Sequence, residues 1–393
     1  MTKKTLIVAS CVLYLLSAGV SYAVFGSVLP GTTSEGGGGN RLADLISPLT
    51  PGAGKGKVDV DQGAPKTEVC PLNGQKYSVA EREAWESRTP MAVMIENHVD
   101  ARPQSGLASA DVVYEALAEG GITRFMAMIY CNAQSKDVIL APIRSARSYF
   151  IDWASSYQEP IYVHVGGANL PGPANALGQL EDYGWAGAND FNQFSIGFPT
   201  FARNYNRIEL ADGKSLATEH TMETSSERLW NYAKENREMT SWAGEKAFKP
   251  WDFKDDADQD KRGPGAAITY EFWSGYSDFA VQWSYDPTTN TYARVLGGQP
   301  HVDLNTNDQI KVKNVVVLLT KEKGPIDELK HMLYTTTGSG EALIFQDGQA
   351  LEAKWSKPTR TSNLSFTVKG KSAEFVRGPI WISVLDTSAE VQY

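Results

Sequence analysis

An uncharged, apolar run covers residues 5–25, directly after Lys3 and Lys4. A helix of that length is sufficient to cross a hydrocarbon core of about 30 Å. Because positively charged flanks stay in the cytoplasm, such a helix would leave the rest of the chain on the extracytoplasmic side. The sequence therefore predicts a transmembrane anchor or signal over residues 1–25, with the folded part outside the cytoplasm.

Two kinds of processing compete with an uncleaved, single-pass anchor. Residues 21–23 have the small-x-small pattern of a signal-peptide cleavage site, and cleavage there would give a secreted or periplasmic protein. Residues 8–11 have the look of a lipoprotein box, although most of the apolar run follows Cys11 instead of preceding it. In each case the bulk of the chain is extracytoplasmic.

The charge of the chain argues against one class of partner. The net charge is −9 at pH 7, whereas sequence-independent binding of nucleic acid needs a basic face. Residues 26–69 are rich in Gly and Pro and cannot bury a core, so they are predicted to be a flexible tether. We expect no nucleic-acid partner and an attachment to the membrane through the N-terminal segment.

Cys70 and Cys131 are the cysteines that follow the apolar run. A pair of cysteines in an oxidising compartment favours a disulfide, which would attach the start of the folded region to the end of an inner strand. The alternative is two unrelated buried thiols.

The first folded domain is predicted over residues 70–239, as an α/β domain with a mixed sheet. Short apolar runs typical of strands cover residues 91–95, 111–118, 122–131, 138–141 and 161–165. Gly120 and Gly121 form a hairpin-like corner between the second and third of these runs. Helical patterns follow at residues 149–157 and 175–183, and after a capping box at residues 224–227.

The second folded domain is predicted to be mainly β. Residues 240–265 are polar and charged and indicate a solvated linker, and residues 266–393 are almost entirely strand-like. Two alternating runs within residues 280–295, separated by Asp286 and Pro287, read as a hairpin. This pattern favours a small β-barrel or β-sandwich.

Three arginines are close together in the sequence: Arg124 follows the Gly-Gly corner, and Arg144 and Arg147 follow the end of a predicted strand. Arginine keeps its charge and offers a planar fork of donors suited to a carboxylate or a phosphate. Strand ends and loops of a mixed sheet are frequent ligand positions, so these arginines, with Asn97 and His164, form a candidate anion-binding cleft. The alternative is that each arginine makes a structural ion pair.

Glu96, Asp111 and Glu115 are the candidate acid/base or metal-binding residues beside this cleft, although Asp111 also suits a turn or a strand start. No catalytic residue is assigned, because the motifs of zinc hydrolases, nucleophile-elbow serine hydrolases and P-loop nucleotidases are absent from the sequence. Structural roles are expected for a further set of residues: His164 as a satisfied core histidine, His220 as a surface or packing residue, and Trp283, Trp355 and Trp381 as core residues instead of a sugar-stacking platform.

Many of these segments resemble one bacterial family, the YerB-type lipoproteins. The segments that carry the resemblance are 94–97, 102–107, 110–115, 119–125, 143–147, 164–167, 292–294, 300–303, 338–340 and 354–355. The resemblance implies a two-domain envelope protein of unknown function. A lipidated cysteine before the tether is not evident here, and a transmembrane anchor would do the same job.

The first domain also resembles, more loosely, the LytR-CpsA-Psr phosphotransferases of bacterial walls. The likeness consists of a Pro142-x-Arg144 segment at a strand end, a helix, and then Gly166 and Gly167, but Ser145 stands where an acid would follow the arginine. It implies transfer from polyprenyl-pyrophosphate-linked wall polymers, and a divalent metal only in that case. We interpret the chain as binding an anionic cell-envelope component or an envelope protein; the alternatives are this phosphotransfer, or a scaffold without a small ligand.

Overall fold

The computed structural model describes residues 61, 63–210 and 213–393, which belong to one compact unit, Pro48–Tyr393. The predicted membrane segment, residues 1–25, lies outside the described residues, as does most of the predicted tether. Among the residues that the structure describes, no helix is long and apolar enough to cross a membrane.

The described chain is built mainly from strands. In chain order they are β1 (Glu68–Val69), β2 (Lys76–Tyr77), β3 (Met91–Glu96), β4 (Val112–Glu119), β5 (Ile122–Ile129), β6 (Ile139–Leu140), β7 (Ile161–His164), β8 (Asp190–Asn192), β9 (Ala202–Arg203), β10 (Met222–Ser225), β11 (Asp252–Lys254), β12 (Ile268–Tyr270), β13 (Val281–Asp286), β14 (Thr291–Leu296), β15 (Gln299–Pro300), β16 (Lys311–Val312), β17 (Asn314–Thr320), β18 (Glu322–Lys323), β19 (Leu333–Tyr334), β20 (Gly338–Gln346), β21 (Gln349–Lys357), β22 (Ser365–Val368), β23 (Lys371–Ser372), β24 (Glu374–Val376), β25 (Ile380–Asp386) and β26 (Val391–Gln392). The α-helices are α1 (Val79–Glu86), α2 (Ser148–Ala154), α3 (Ala176–Asp182), α4 (Gln193–Ile196) and α5 (Ser226–Arg237).

Within the described part of the chain, eleven strands form one mixed sheet in the order β23-β22-β21-β20-β17-β25-β4-β5-β3-β7-β8. The predicted hairpin is present as β4 and β5, which are antiparallel. At its corner Gly120 and Gly121 have φ of 60° and 83°, a region that side chains disfavour, and a Cβ on Gly121 would collide with Tyr276. The glycine pair therefore permits this turn.

The two predicted domains share this sheet. β25 lies parallel to β4, with Ile380 opposite Val112 and Trp381 opposite Val113. The C-terminal strands are predicted to form a separate barrel or sandwich, whereas six strands from that region continue the N-terminal sheet. The sequence of β25 does not indicate whether its neighbour is a strand of its own domain or β4. Both possible neighbours present buried, apolar side chains.

A second sheet packs on the shared one. Its order is β15-β14-β13-β12-β26, with β16 beside β14. Trp283 of β13 meets Trp381 of β25 edge to face, with ring centroids 5.5 Å apart, and the hydroxyls of Tyr270 and Ser383 lie 2.6 Å apart. Trp283, Trp355 and Trp381 are buried, so the prediction that they are core residues is confirmed.

Local features attach the remaining segments to this core. The structure contains a disulfide between Cys70 and Cys131, which joins the segment before α1 to the end of β5. The helix α5 begins after Ser225, whose side chain accepts a hydrogen bond from the backbone N–H of Arg228. In the predicted solvated linker, β11 pairs with β24, and buried Trp242 donates to the carbonyl of Tyr157.

Candidate functional site

A fully buried ion pair joins the two halves of the molecule. Glu115 of β4 accepts hydrogen bonds from Arg294 of β14 at 2.7 Å, from Thr123 at 2.9 Å and from the indole of Trp381 at 3.1 Å. Burial raises the pKa of Glu115, and the charge of Arg294 opposes that shift. Glu115 was predicted to be an acid/base or metal-binding candidate, but its oxygens are committed to these donors and it is closed to solvent.

The same pair continues into a closed ring of buried polar side chains. Arg294 Nε donates to His301 Nδ1 at 3.0 Å, and His301 Nε2 lies 2.9 Å from Gln104 Oε1. Burial first, and then the neighbouring Arg294, lower the pKa of His301, so its neutral ring accepts at Nδ1 and donates at Nε2. Gln104 donates to Asn97 Oδ1, and Asn97 donates to Thr123, which closes the ring.

We name this set the buried ring; its members are Asn97, Gln104, Glu115, Thr123, Arg294 and His301. All are buried, and they come from both halves of the chain. Because a buried polar group that loses its partner is costly, a closed set of hydrogen bonds fixes the relative position of the strands that carry it. Asn97, which was predicted to line an anion cleft, belongs to this structural ring.

Two of the three candidate arginines share one carboxylate. Arg124 donates to Glu119 Oε1 at 2.6 Å, and Arg147 donates to Glu119 Oε2 from both Nε and Nη2, at 2.9 and 2.6 Å. The arginine side chains are only 3% and 8% exposed. Burial raises the pKa of Glu119, but the charges of Arg124 and Arg147 outweigh it and lower that pKa to about 2. This triad carries one excess positive charge and is closed to a large ligand.

Arg144 differs from these two arginines. Its Nε lies 3.0 Å from Glu96 Oε1, its side chain is 28% exposed, and neither Nη group hydrogen-bonds to another described residue. The second oxygen of Glu96 is 2.9 Å from His220 Nδ1. Glu96 also lies opposite Arg124 in the pairing of β3 with β5. Arg124, Arg144, Arg147 and Glu96 thus lie near one another, and Arg144 is the most exposed of the three arginines.

His164 and Asp111 are engaged by partners other than the three arginines. His164 is buried and uses both ring nitrogens, at 2.5 Å from Asp190 Oδ1 and 2.7 Å from the carbonyl of Gly166. Asp111 is buried beside the disulfide, where it accepts from Asn73 at 2.8 Å and from the backbone of Tyr130 at 2.9 Å. Burial raises the pKa of Asp111 to about 7. His164 is thus a satisfied core histidine, and Asp111 is a buried residue directly before β4.

An exposed aromatic side chain lies over the backbone segment that pairs with Arg144. The carbonyl of Arg144 accepts from Val165, and the next residue, Gly166, donates to the side chain of Asn192. Phe194 lies directly over Gly166, where a Cβ would approach its ring to 3.0 Å. Phe194 and Phe198 are 73% and 62% exposed. We call the segment around Arg144, taken together with Gly166, Phe194 and Phe198, the strand-end face.

Sequence reasoning missed the ring residues Arg294 and His301 and the position of His220. Arg294 and His301 lie within segments 292–294 and 300–303, which carry the family resemblance, so the resemblance marked them without indicating their role. His220 was expected to be a surface or packing residue, but it binds Glu96 across 124 positions of sequence, a distance that no local pattern spans.

A separate groove of about 970 Å³ lies on the second sheet. Its lining includes Trp273 and the carboxylates of Glu271, Glu322, Asp386 and Glu390. Such a concentration of negative charge disfavours an anionic ligand. The groove therefore does not replace the arginine group as a candidate anion site.

Comparison with known proteins agrees with this two-part architecture. Residues 78–239 match the N-terminal domain, and residues 268–382 the C-terminal domain, of a protein family of unknown function, DUF3048. The chain belongs to the DUF3048 family. One member that it resembles is "Putative lipoprotein YerB" of Bacillus subtilis (strain 168), at 30% identity over 318 residues, which covers 80% of this chain and 86% of the relative.

The structure of that relative has the same fold. The crystal structure of YerB protein from Bacillus subtilis superposes with a TM-score of 0.67 and 25% sequence identity, over 83% of this chain and 100% of the other. The family resemblance noted in the sequence is thereby confirmed. The two DUF3048 domains are the two segments that the buried ring connects in this chain.

Proposed function

We propose that this protein binds an anionic amphiphile of the cell envelope at the strand-end face. The observation that carries the proposal is the state of Arg144, which is partly exposed and has open Nη donors. Two strongly exposed phenylalanines, Phe194 and Phe198, follow Asn192, which accepts a hydrogen bond from Gly166 near the backbone of Arg144. A guanidinium recognises a phosphate or carboxylate headgroup, and exposed aromatic rings add apolar contact for an attached chain. The predicted arginine clamp is thus reduced to one arginine with an aromatic border.

The surroundings of Arg144 allow it to change partners. Glu96 also holds His220 Nδ1, so this carboxylate keeps a hydrogen bond if Arg144 turns toward a ligand. Arg124 and Arg147 also favour an anion at this site, because together with Glu119 they carry one excess positive charge. Asp100 and Glu219 lie on the same side of the molecule and oppose an anion, which limits the affinity that Arg144 alone provides.

The place of action that fits this ligand is the outer side of the cytoplasmic membrane. The apolar run at residues 5–25 and the name of the relative, a lipoprotein, support a membrane-attached, extracytoplasmic protein. An amphiphile in the membrane would then be within reach of the folded unit.

We propose binding and not phosphotransfer. Two of the three candidate acid/base residues, Asp111 and Glu115, are buried and fully engaged by other donors. The third, Glu96, is held by Arg144 and His220. This commitment of all three carboxylates favours a binding protein.

The test is a calorimetric titration of the full-length protein with geranylgeranyl pyrophosphate and, separately, with inorganic pyrophosphate. We expect the lipid to bind at least tenfold more tightly than pyrophosphate, because only the lipid contacts Phe194 and Phe198. Arg144→Gln should weaken both ligands by tenfold or more, and Phe194→Ser only the lipid.

Arg377→Gln is a matched control, since Arg377 is 24% exposed and pairs with Asp255, and neither residue belongs to the strand-end face. It should leave both affinities unchanged. Equal binding of the lipid by the wild type and Arg144→Gln would contradict the proposal.

A further inference from the structure

His98, Asp100 and His220 form a cluster beside Glu96. His98 and Asp100 belong to a 3-10 turn after β3, and His220 ends the 3-10 turn Thr218–His220. The potential ligand atoms of all three residues lie within 4.8 Å of one another. The two imidazole rings are 4.9 Å apart between centroids, at an interplanar angle of 20°. We propose that this cluster binds a divalent transition-metal ion of the Zn²⁺ type.

The contact with Glu96 prepares His220 for this role. His220 Nδ1 lies 2.9 Å from Glu96 Oε2, so the proton sits on Nδ1 and the lone pair of Nε2 is free to bind a metal. A carboxylate behind a histidine ligand fixes the tautomer and the ring orientation in many metal sites. The side chains of His220 and Glu96 are 8% and 5% exposed, and Arg144 holds the other oxygen of Glu96.

The other two ligands can adjust. His98 Nδ1 accepts a hydrogen bond from the backbone N–H of Asp100 at 3.2 Å and lies 3.6 Å from Asp100 Oδ2. These side chains are 33% and 64% exposed, so rotation about their side-chain bonds can bring the donors to metal distances of about 2.0–2.2 Å. One fixed histidine and two mobile ligands from a single turn thus meet at the surface.

The donor set indicates the type of ion. Two imidazoles and one carboxylate suit Zn²⁺ and other first-row divalent ions, whereas Ca²⁺ and Mg²⁺ prefer oxygen ligands. Three protein ligands leave one tetrahedral position open for water or another ligand. A bound dication would also offset Asp100 and Glu219, which oppose an anion at Arg144; this last consequence rests on the proposed function, and the metal site itself does not.

The test is a titration of the untagged full-length protein with Zn²⁺ alone, in the absence of any anionic lipid. We expect one equivalent to bind with a dissociation constant in the micromolar range or below, and Co²⁺ to give visible absorption bands in its place. His98→Gln, Asp100→Asn and His220→Gln should each weaken Zn²⁺ at least tenfold. Glu96→Gln should weaken it by about 10–100-fold, as expected for a partner of a ligand.

His331→Gln is the matched control, since His331 pairs with Asp327 at 2.7 Å but lies in no cluster of three ligands among the described residues. It should bind Zn²⁺ like the wild type. His98 and Asp100 are at the surface, so circular dichroism should show that their variants fold. Absence of stoichiometric Zn²⁺ binding, or unchanged affinity in His98→Gln and Asp100→Asn, would overturn the metal site, whatever the result with the lipid.

Discussion

The buried ring and the strand-end face use the same kinds of residue with opposite access to water. Arg294 and Glu115 are both 0% exposed and lie within a closed set of hydrogen bonds. Arg144 is 28% exposed and keeps two Nη groups free of described partners, although it also pairs with a glutamate. An arginine–glutamate pair therefore does not indicate a binding site by itself; the unused donors and their exposure do.

The first prediction addresses the closed region and has the largest expected effect. Arg294→Met leaves the charge of Glu115 buried without its partner, and loss of one member of a buried pair costs about 3–5 kcal/mol. The measurement is the free energy of unfolding from denaturant titration near pH 7.

The double variant Arg294→Met, Glu115→Gln removes both charges and should recover part of that loss. A single variant as stable as the wild type would mean that the ring does not hold the two halves together.

The second prediction concerns the triad of Glu119, Arg124 and Arg147. Its exposure to solvent is intermediate between that of the buried ring and that of the strand-end face. The pKa of Glu119 is about 2 in the folded protein and 4.5 is its ordinary value. Its ion pairs therefore contribute stability that is fully present above pH 4.5 and is lost as the pH falls from 4.5 toward 2. We expect a loss of about 2 kcal/mol between pH 6 and pH 3 that Glu119→Gln lacks.

Glu341→Gln serves as the control, because Glu341 is 67% exposed and pairs with exposed Lys354. It should keep the wild-type pH dependence. Identical slopes in the wild type and Glu119→Gln would show that the two arginines do not depress this pKa.

The third prediction addresses the open region and has the smallest effect on stability. Arg144→Gln should reduce the free energy of unfolding by at most about 1 kcal/mol, since the pair is partly exposed and Glu96 retains His220. The same denaturant titration provides the comparison. A loss as large as that of Arg294→Met would place Arg144 among the structural arginines.

The sequence predicted what depends on neighbours in the chain. The apolar run of β3, the glycine corner of the β4–β5 hairpin and the strand end before Arg144 are local patterns, and each appears in the structure. The arginines were grouped because they lie within 24 positions of one another, beside the glycine corner and at a strand end.

The sequence did not predict what depends on distant pairing. Arg294 meets Glu115 across 179 positions, and β25 lies beside β4 although the two come from different predicted domains. A strand that is buried on both faces carries no local mark of its neighbour. For the same reason the burial of Arg124 and Arg147, which decides whether they bind a ligand, could not be read from their spacing.

Hydrogen exchange followed by mass spectrometry, with and without geranylgeranyl pyrophosphate, tests most directly that the open region binds and the closed region holds the fold. The account predicts slower exchange in residues 143–147 and 192–198 when the lipid is present, and no change in residues 292–303, which carry part of the buried ring. Protection confined to residues 292–303, or to the groove around Trp273, would contradict it.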